Sequence, residues 1–135
     1  MLLDTCFLID LHRELKADHS GDAQTFLQKH ATIAFSISVI SVTEFLEGFE
    51  TTANGERFLR PFTWIPIDSS ISREASRIRR HLRLHGNLIG DFDILIAATS
   101  NVTGLPLVTD NTAHFERVPD LHVIRYKAAA NPGGR

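Results

Sequence analysis

Four acidic residues stand where an apolar, strand-like run gives way to a helix or a turn: Asp4, Glu44, Asp93 and Asp110. Asp4 follows Leu2 and Leu3. Glu44 falls in the first turns of a helix read over residues 41–51. Asp93 opens the apolar run DILIAAT, with Asp91 two residues ahead of it, and Asp110 ends the run Leu107, Val108, Thr109. In an open parallel sheet such strand ends gather at one edge, where ligands bind. Carboxylates gathered there repel one another, and without a partner some take up protons. A hard divalent cation removes the conflict. Mg²⁺ takes oxygen ligands at roughly 2.0–2.1 Å and keeps several waters, and Mn²⁺ suits the same donors. Zinc fits less well, because Cys6 is the only cysteine and the seven histidines show no HExxH spacing. An ion held in this way activates a bound water and offsets negative charge that develops on substrate oxygens.

Each acid taken alone has a plainer reading. Asp4 caps the helix that follows it. The stretch Ser41-Val42-Thr43-Glu44 matches a capping box, with Glu44 bonded to the backbone of Ser41. Asp91 is a natural N-cap, and Asp93 favours a helix N-terminus. Asp110-Asn111 fits an ordinary turn. Four such coincidences at one sheet edge favour a common site. Asp91 and Asp93 lie about 200° apart around a helix, so they do not share a direction. Asp93 joins the apolar run directly and is the site acid; Asp91 caps the helix or reaches the site through water.

The elements that must carry these residues are short apolar strands separated by helices. A helix starting at Asp4-Thr5 buries Phe7, Leu8 and Leu11, and a second spans residues 23–30. Residues 32–38 read as a strand, and Asn54-Gly55 breaks the helix that follows it. Trp64-Ile65-Pro66-Ile67 is an edge strand. Asp68 starts a long polar helix to about Leu84, and the apolar helix from Asp93 stops at Gly104. Residues 121–124 form the last strand. Strands alternating with helices imply parallel crossovers, hence a three-layer α/β/α fold around a mostly parallel sheet. Residues 1–127 form one domain, and AAANPGGR over residues 128–135 is a frayed tail.

Composition sets the outer bounds. The chain has 135 residues, 43% hydrophobic and 22% charged, which excludes disordered and low-complexity classes. Fourteen Lys and Arg against 16 Asp and Glu leave a formal charge of −2, so any polyanion must meet a local basic patch or a bound metal ion. A start carrying Asp4 and Asp10 is a poor signal peptide, and no run reaches the ~18 apolar residues of a membrane span, so a cytoplasmic protein is expected. The patch is SREASRIRRHLRLH, where Arg73, Arg77 and Arg80 share one helix face and are candidate contacts to a polyanion's phosphates. A solvated helix face is the equally simple reading. Cys6 is expected to pack as a small apolar group.

The segments LLDTCFLID, SVISVTEFLEG, IGDFDILIAATS and LVTDNTAHFERVPDLHV resemble the PIN-domain family, and within it the VapC-type ribonuclease toxins of bacterial toxin–antitoxin pairs. The likeness covers nearly the whole chain. It implies a PIN-like α/β/α fold and a Mg²⁺- or Mn²⁺-dependent endoribonuclease. It places the metal-site acids at Asp4, Glu44, Asp93 and Asp110, although similar sequences often carry Asn where Asp110 stands. Thr5 then orients Asp4 or touches a phosphate, Thr109 supplies a supporting hydroxyl, and Asn111 shares the role of Asp110. The resemblance also implies a small antitoxin lying along the helices over residues 8–15 and 41–49 and pushing an arginine into the acids. It further implies a homodimer, for which Phe58, Leu59, Phe62 and Trp64 are apolar candidates.

Two other classes share parts of this pattern. A receiver-type phosphoacceptor domain expects paired aspartates after the first strand and a late lysine; here Asp4 is single, and the one late lysine, Lys127, is misplaced. A binding module with a dead site is the other, and retention of all four acids argues against it.

Overall fold

The computed structural model describes residues 1–129. Five strands and seven helices follow one another as β1 (Leu2–Leu3), α1 (Thr5–Lys16), α2 (Asp22–Lys29), β2 (Ser36–Ser38), α3 (Val39–Leu46), α4 (Thr52–Leu59), β3 (Thr63–Ile65), α5 (Ser69–Leu84), α6 (Asp91–Thr103), β4 (Leu107–Thr109), α7 (Thr112–Phe115) and β5 (Val123–Arg125). The strands form one sheet in the order β3-β2-β1-β4-β5, and every pairing is parallel. This is the three-layer α/β/α architecture expected. Of the tail expected over residues 128–135, residues 130–135 lie outside the described residues.

The pleat sorts the core into two layers. Leu2 and Leu107 face the helix pair α5 and α6, packing with Ile78, Leu82, Ile94 and Ile96. Leu3 and Val108 point the other way, onto Phe7, Leu8, Phe26 and Phe45 of α1, α2 and α3. Successive strand residues alternate faces, so even a two-residue β1 serves both layers. Helix α6 is apolar on nearly every side because Ile96, Ala97 and Ala98 are fully buried. It ends at Gly104, whose φ of 71° is the left-handed cap conformation glycine adopts without strain.

Two helices depart from the sequence reading. Asn54-Gly55 does not break the chain but lies inside α4. Gly55 is buried, and a Cβ there would stand 2.5 Å from Leu46 Cδ2, so the glycine serves a close approach of α4 to the end of α3. The single turn α7 sits between β4 and β5, a stretch to which the sequence pattern assigns no helix.

The site's location follows from strand order. Chain progression runs outward to β2 and β3 on one side of β1, and to β4 and β5 on the other. The crevice outside the carboxyl ends of β1 and β4 is therefore the topological switch point, the usual ligand position in open α/β sheets. Asp4 and Asp110 are the first residues past those two strands.

Candidate active site

Asp4 is the centre of the cluster and is only 5% exposed. Parallel pairing sets Leu3 beside Val108, and the next step is the bond from Asp4 N to Val108 O at 3.0 Å. Asp4 thus comes to lie beside Thr109, whose hydroxyl donates to Asp4 Oδ2 at 2.7 Å. The other carboxylate oxygen accepts from Thr5 N at 2.8 Å, so Asp4 does cap α1 as well. Cys6 is not a purely apolar filler: its thiol reaches Asp4 Oδ2 at 3.4 Å and lies 3.5 Å from Thr109 Oγ1. Burial and the neighbouring Asp4 push that thiol up to about 11.

Glu44 arrives from α3. The capping-box reading fails here, because Ser38, not Ser41, is the N-cap, accepting from Ile40 N at 3.0 Å. Ser41 is buried inside the helix, and Glu44 is free to turn toward α1. Thr5 Oγ1 donates to Glu44 Oε1 at 2.7 Å and lies 3.1 Å from Ser41 Oγ. Asp93 sits in the first turn of α6. His114 of α7 approaches it, Nδ1 to Oδ2 at 3.6 Å, and Asn111 Nδ2 lies 3.0 Å from the same ring nitrogen.

Asp4, Glu44 and Asp93 share one electrostatic environment. Burial raises the pKa of each above its ordinary value. Hydrogen bonds from Thr109 and Thr5 oppose this at Asp4, those from Thr5 oppose it at Glu44, and His114 opposes it at Asp93. Asp93 raises both Asp4 and Glu44, and Asp4 raises Glu44 further. Among the described residues, no three His, Cys, Asp or Glu side chains stand as a ready-made metal cage. Each carboxylate is instead turned to a hydroxyl or an imidazole. The donor chemistry still fits a hard cation: the coupled groups offer oxygens only, and a divalent charge would reverse the cost that burial imposes on their ionised forms.

The other expected residues divide. Asp91 is the first residue of α6, not its cap, and is turned out to Arg79, with Nε to Oδ1 at 3.0 Å. Asp110 carries an ion pair to Lys127 at 3.0 Å. Asn111 N–H donates to Thr109 Oγ1 at 3.0 Å, so Asn111 supports the site through Thr109 and His114. Of the arginine face, Arg77 is committed elsewhere, holding Glu74 at 2.7 Å and Asp120 at 3.3 Å. Asp120 lies in the loop leading into β5, at the opposite end of the strands from Asp4. Arg73 and Arg80 are exposed. Arg79, rather than one of these three, is the arginine of this helix that pairs with an acid at the start of α6. Leu59, expected at a dimer surface, is fully buried, and Phe58 and Phe62 pack against the same core cluster. His114, Ser41 and Cys6 were not foreseen; His114 in particular lies on α7, which the sequence pattern did not reveal.

The PIN domain family profile matches residues 1–121. Ribonuclease VapC1 of Methanocaldococcus jannaschii is 31% identical over 123 residues, covering 89% of this chain and 82% of that one. Among solved structures, a VapBC2 complex from Rickettsia felis bound to a promoter DNA fragment superposes with a TM-score of 0.79 at 22% identity, over 93% of this chain and 98% of that chain. A toxin–antitoxin complex from Klebsiella pneumoniae gives 0.69 at 25% identity, over 89% and 93%. With the sheet order, the switch-point acids and these likenesses in hand, the chain belongs to the PIN domain family, as a VapC-type member.

Proposed function

We propose that this protein is the endoribonuclease toxin of a toxin–antitoxin pair, hydrolysing RNA phosphodiester bonds with Mg²⁺ or Mn²⁺ held by Asp4, Glu44 and Asp93. The carrying observation is the placement of these carboxylates at the switch point of the sheet, where Thr5 bonds both Asp4 and Glu44 and the first turn of α6 brings Asp93; Asp93 acts electrostatically on the other two. A bound divalent ion would supply a water of lowered pKa and offset charge on the phosphoryl oxygens. The chain's own residues do the positioning. Thr109 and Thr5 N–H fix both oxygens of Asp4, Thr5 Oγ1 fixes Glu44, and His114 stands at Asp93. Groups held in place before the reaction lower its barrier by orientation and electrostatics rather than by a covalent step.

RNA phosphates would meet Arg73 and Arg80 on the exposed face of α5. The antitoxin fits the grooves beside α1. One, of about 380 Å³, is lined by Ile9, His12, Phe45 and Phe49 and reaches Glu44. The other, of about 630 Å³, is apolar and runs past Leu11, Leu15, Leu27, Phe58 and Phe62. An antitoxin arginine placed on Glu44 from the first groove would form charge-assisted bonds and block the site. A homodimer would use exposed apolar residues such as Leu84, Leu88 and Phe92 rather than Leu59. No helix among the described residues is long and apolar enough to cross a membrane, and a cytoplasmic location accords with an RNA substrate. Residues 1–127 are the nuclease unit.

The test compares RNA cleavage by wild type, Asp4→Asn and Asp93→Asn, with Mg²⁺ and with a chelator. Loss of cleavage in both variants and under chelation supports the reading. Equal cleavage by all three proteins, or cleavage indifferent to chelator, overturns it.

A further inference from the structure

Lys127 stands between two carboxylates. Its Nζ is 3.0 Å from Asp110 Oδ2 and 3.4 Å from Asp10 Oδ2. Arg125 also approaches Asp110, at 3.9 Å, and Asp10 is further held by Arg13 at 3.6 Å and by the Tyr126 hydroxyl. The sheet creates this meeting. Thr109 pairs with Arg125, so Asp110 and the residues after Arg125 leave the sheet side by side at its carboxyl edge. Asp10, on the second turn of α1, faces them there.

Resting on the metal-site reading above, we propose that Asp110 is the counter-ion of Lys127 and not a metal ligand. The Lys127 ammonium occupies the place beside Asp110 and Asp10 that a second divalent ion would otherwise take, so the site holds a single ion on Asp4, Glu44 and Asp93. A second ion at Asp110 would have to displace an ammonium at contact distance or bear its repulsion. The carboxylates Asp10 and Asp110 are already met by the three cations Arg13, Arg125 and Lys127, leaving no unneutralised charge there to attract another ion. The same arrangement explains how this chain keeps an aspartate at position 110 without adding a fourth repulsive charge to the buried group.

Mn²⁺ titration by calorimetry, with bound ions counted by electron paramagnetic resonance, tests this on the full chain. Wild type is expected to bind one ion. The charge-conserving double variant Asp110→Asn/Lys127→Met keeps that ion with a Kd within about threefold, whereas Asp93→Asn weakens it about tenfold or more. Lys127→Met alone removes the one cation shared by Asp110 and Asp10, leaving only the longer pairs to Arg125 and Arg13; a second, weaker ion is expected to bind there, and Lys127→Arg restores a count of one. Thermal melts verify that each variant is folded, and the double variant and Lys127→Arg carry the test if Lys127→Met is not. The proposal is overturned if wild type binds two ions of comparable affinity, or if the double variant loses Mn²⁺ as Asp93→Asn does while the metal-site reading stands. A wild type that binds no Mn²⁺ at all removes the metal-site reading, and this proposal with it.

Discussion

Thr5 Oγ1 donates to Glu44 Oε1 at 2.7 Å across 39 positions of sequence. The first residue of α1 thereby holds a carboxylate of α3 against the end of β1, and Ser41, fully buried one turn before Glu44, closes the arrangement. The hydroxyl lowers the pKa of a carboxyl that burial raises.

Removing that hydroxyl leaves a half-buried carboxylate without its donor. Thr5→Val keeps the side-chain shape and loses the bond. A hydrogen bond to a charged group contributes about 1.5–3 kcal/mol, so kcat/KM for RNA cleavage is expected to fall about tenfold or more. Thr5→Ser retains the donor and is expected to stay near wild type. Equal activity of the valine and serine variants would show that the bond does not position Glu44.

The raised carboxyls also set how metal-free stability depends on pH. A carboxyl whose pKa is higher folded than unfolded binds protons more readily in the folded chain. Its contribution is fully present below the ordinary carboxylate range and is lost as pH rises through the raised folded values. Glu44→Gln removes one such group. Relative to wild type, its metal-free melting temperature is expected to gain as pH rises from about 4 to 7, reaching a few degrees. Added Mn²⁺ reverses the ranking, because it binds the folded wild type more tightly than the variant. Melting curves at several pH values, with and without Mn²⁺, give both signs in one series.

Tyr126 ties the segment after β5 to α1. Its hydroxyl donates to Asp10 Oδ2, and its ring meets Phe7 edge-on at 4.7 Å. Tyr126→Phe keeps the ring packing and leaves a partly buried carboxylate one donor short. The expected cost is about 1–2 kcal/mol, a fall of several degrees in melting temperature by calorimetry. An unchanged melting temperature would mean that Lys127 and Arg13 satisfy Asp10 without the phenol.

How much of this was legible in the sequence depends on the range of the interaction. The buried helix α6, its stop at Gly104, the N-cap Asp68 and the parallel layers follow from local pattern, and the structure has them all. Glycine at 55 was misread because its role is contact with Leu46 of another helix, which a local breaker rule does not register. Ser38 and Ser41 are both plausible caps, and only the end of β2 decides between them. The acids themselves were visible as types at strand ends. Their hydroxyl and imidazole partners lie 39 to 105 positions from one of them, or on a four-residue helix with too short a period to detect. The arginine face was chosen by spacing alone, which does not foretell that Glu74 on the same helix and Asp120 from a distant loop would claim Arg77.

Asp91 and Asp93 make the sharpest internal comparison, since they share a helix turn and a residue type. Two helical positions differ by about 200° in direction. Asp91 points to solvent with its side chain 74% exposed against Arg79, and Asp93 points inward to His114 at 26% exposure. Asp91→Asn gives up a surface ion pair worth roughly 0–1 kcal/mol, and its RNA cleavage is expected to stay within about threefold of wild type. Asp93→Asn removes an oxygen donor from the coupled carboxylates, and cleavage is expected to fall by about a hundredfold or more. Both variants share the chain, the fold and the lost charge, so a difference between them reports direction alone. Equal losses would mean that net negative charge near the helix start, and not the aim of one carboxylate, carries the activity.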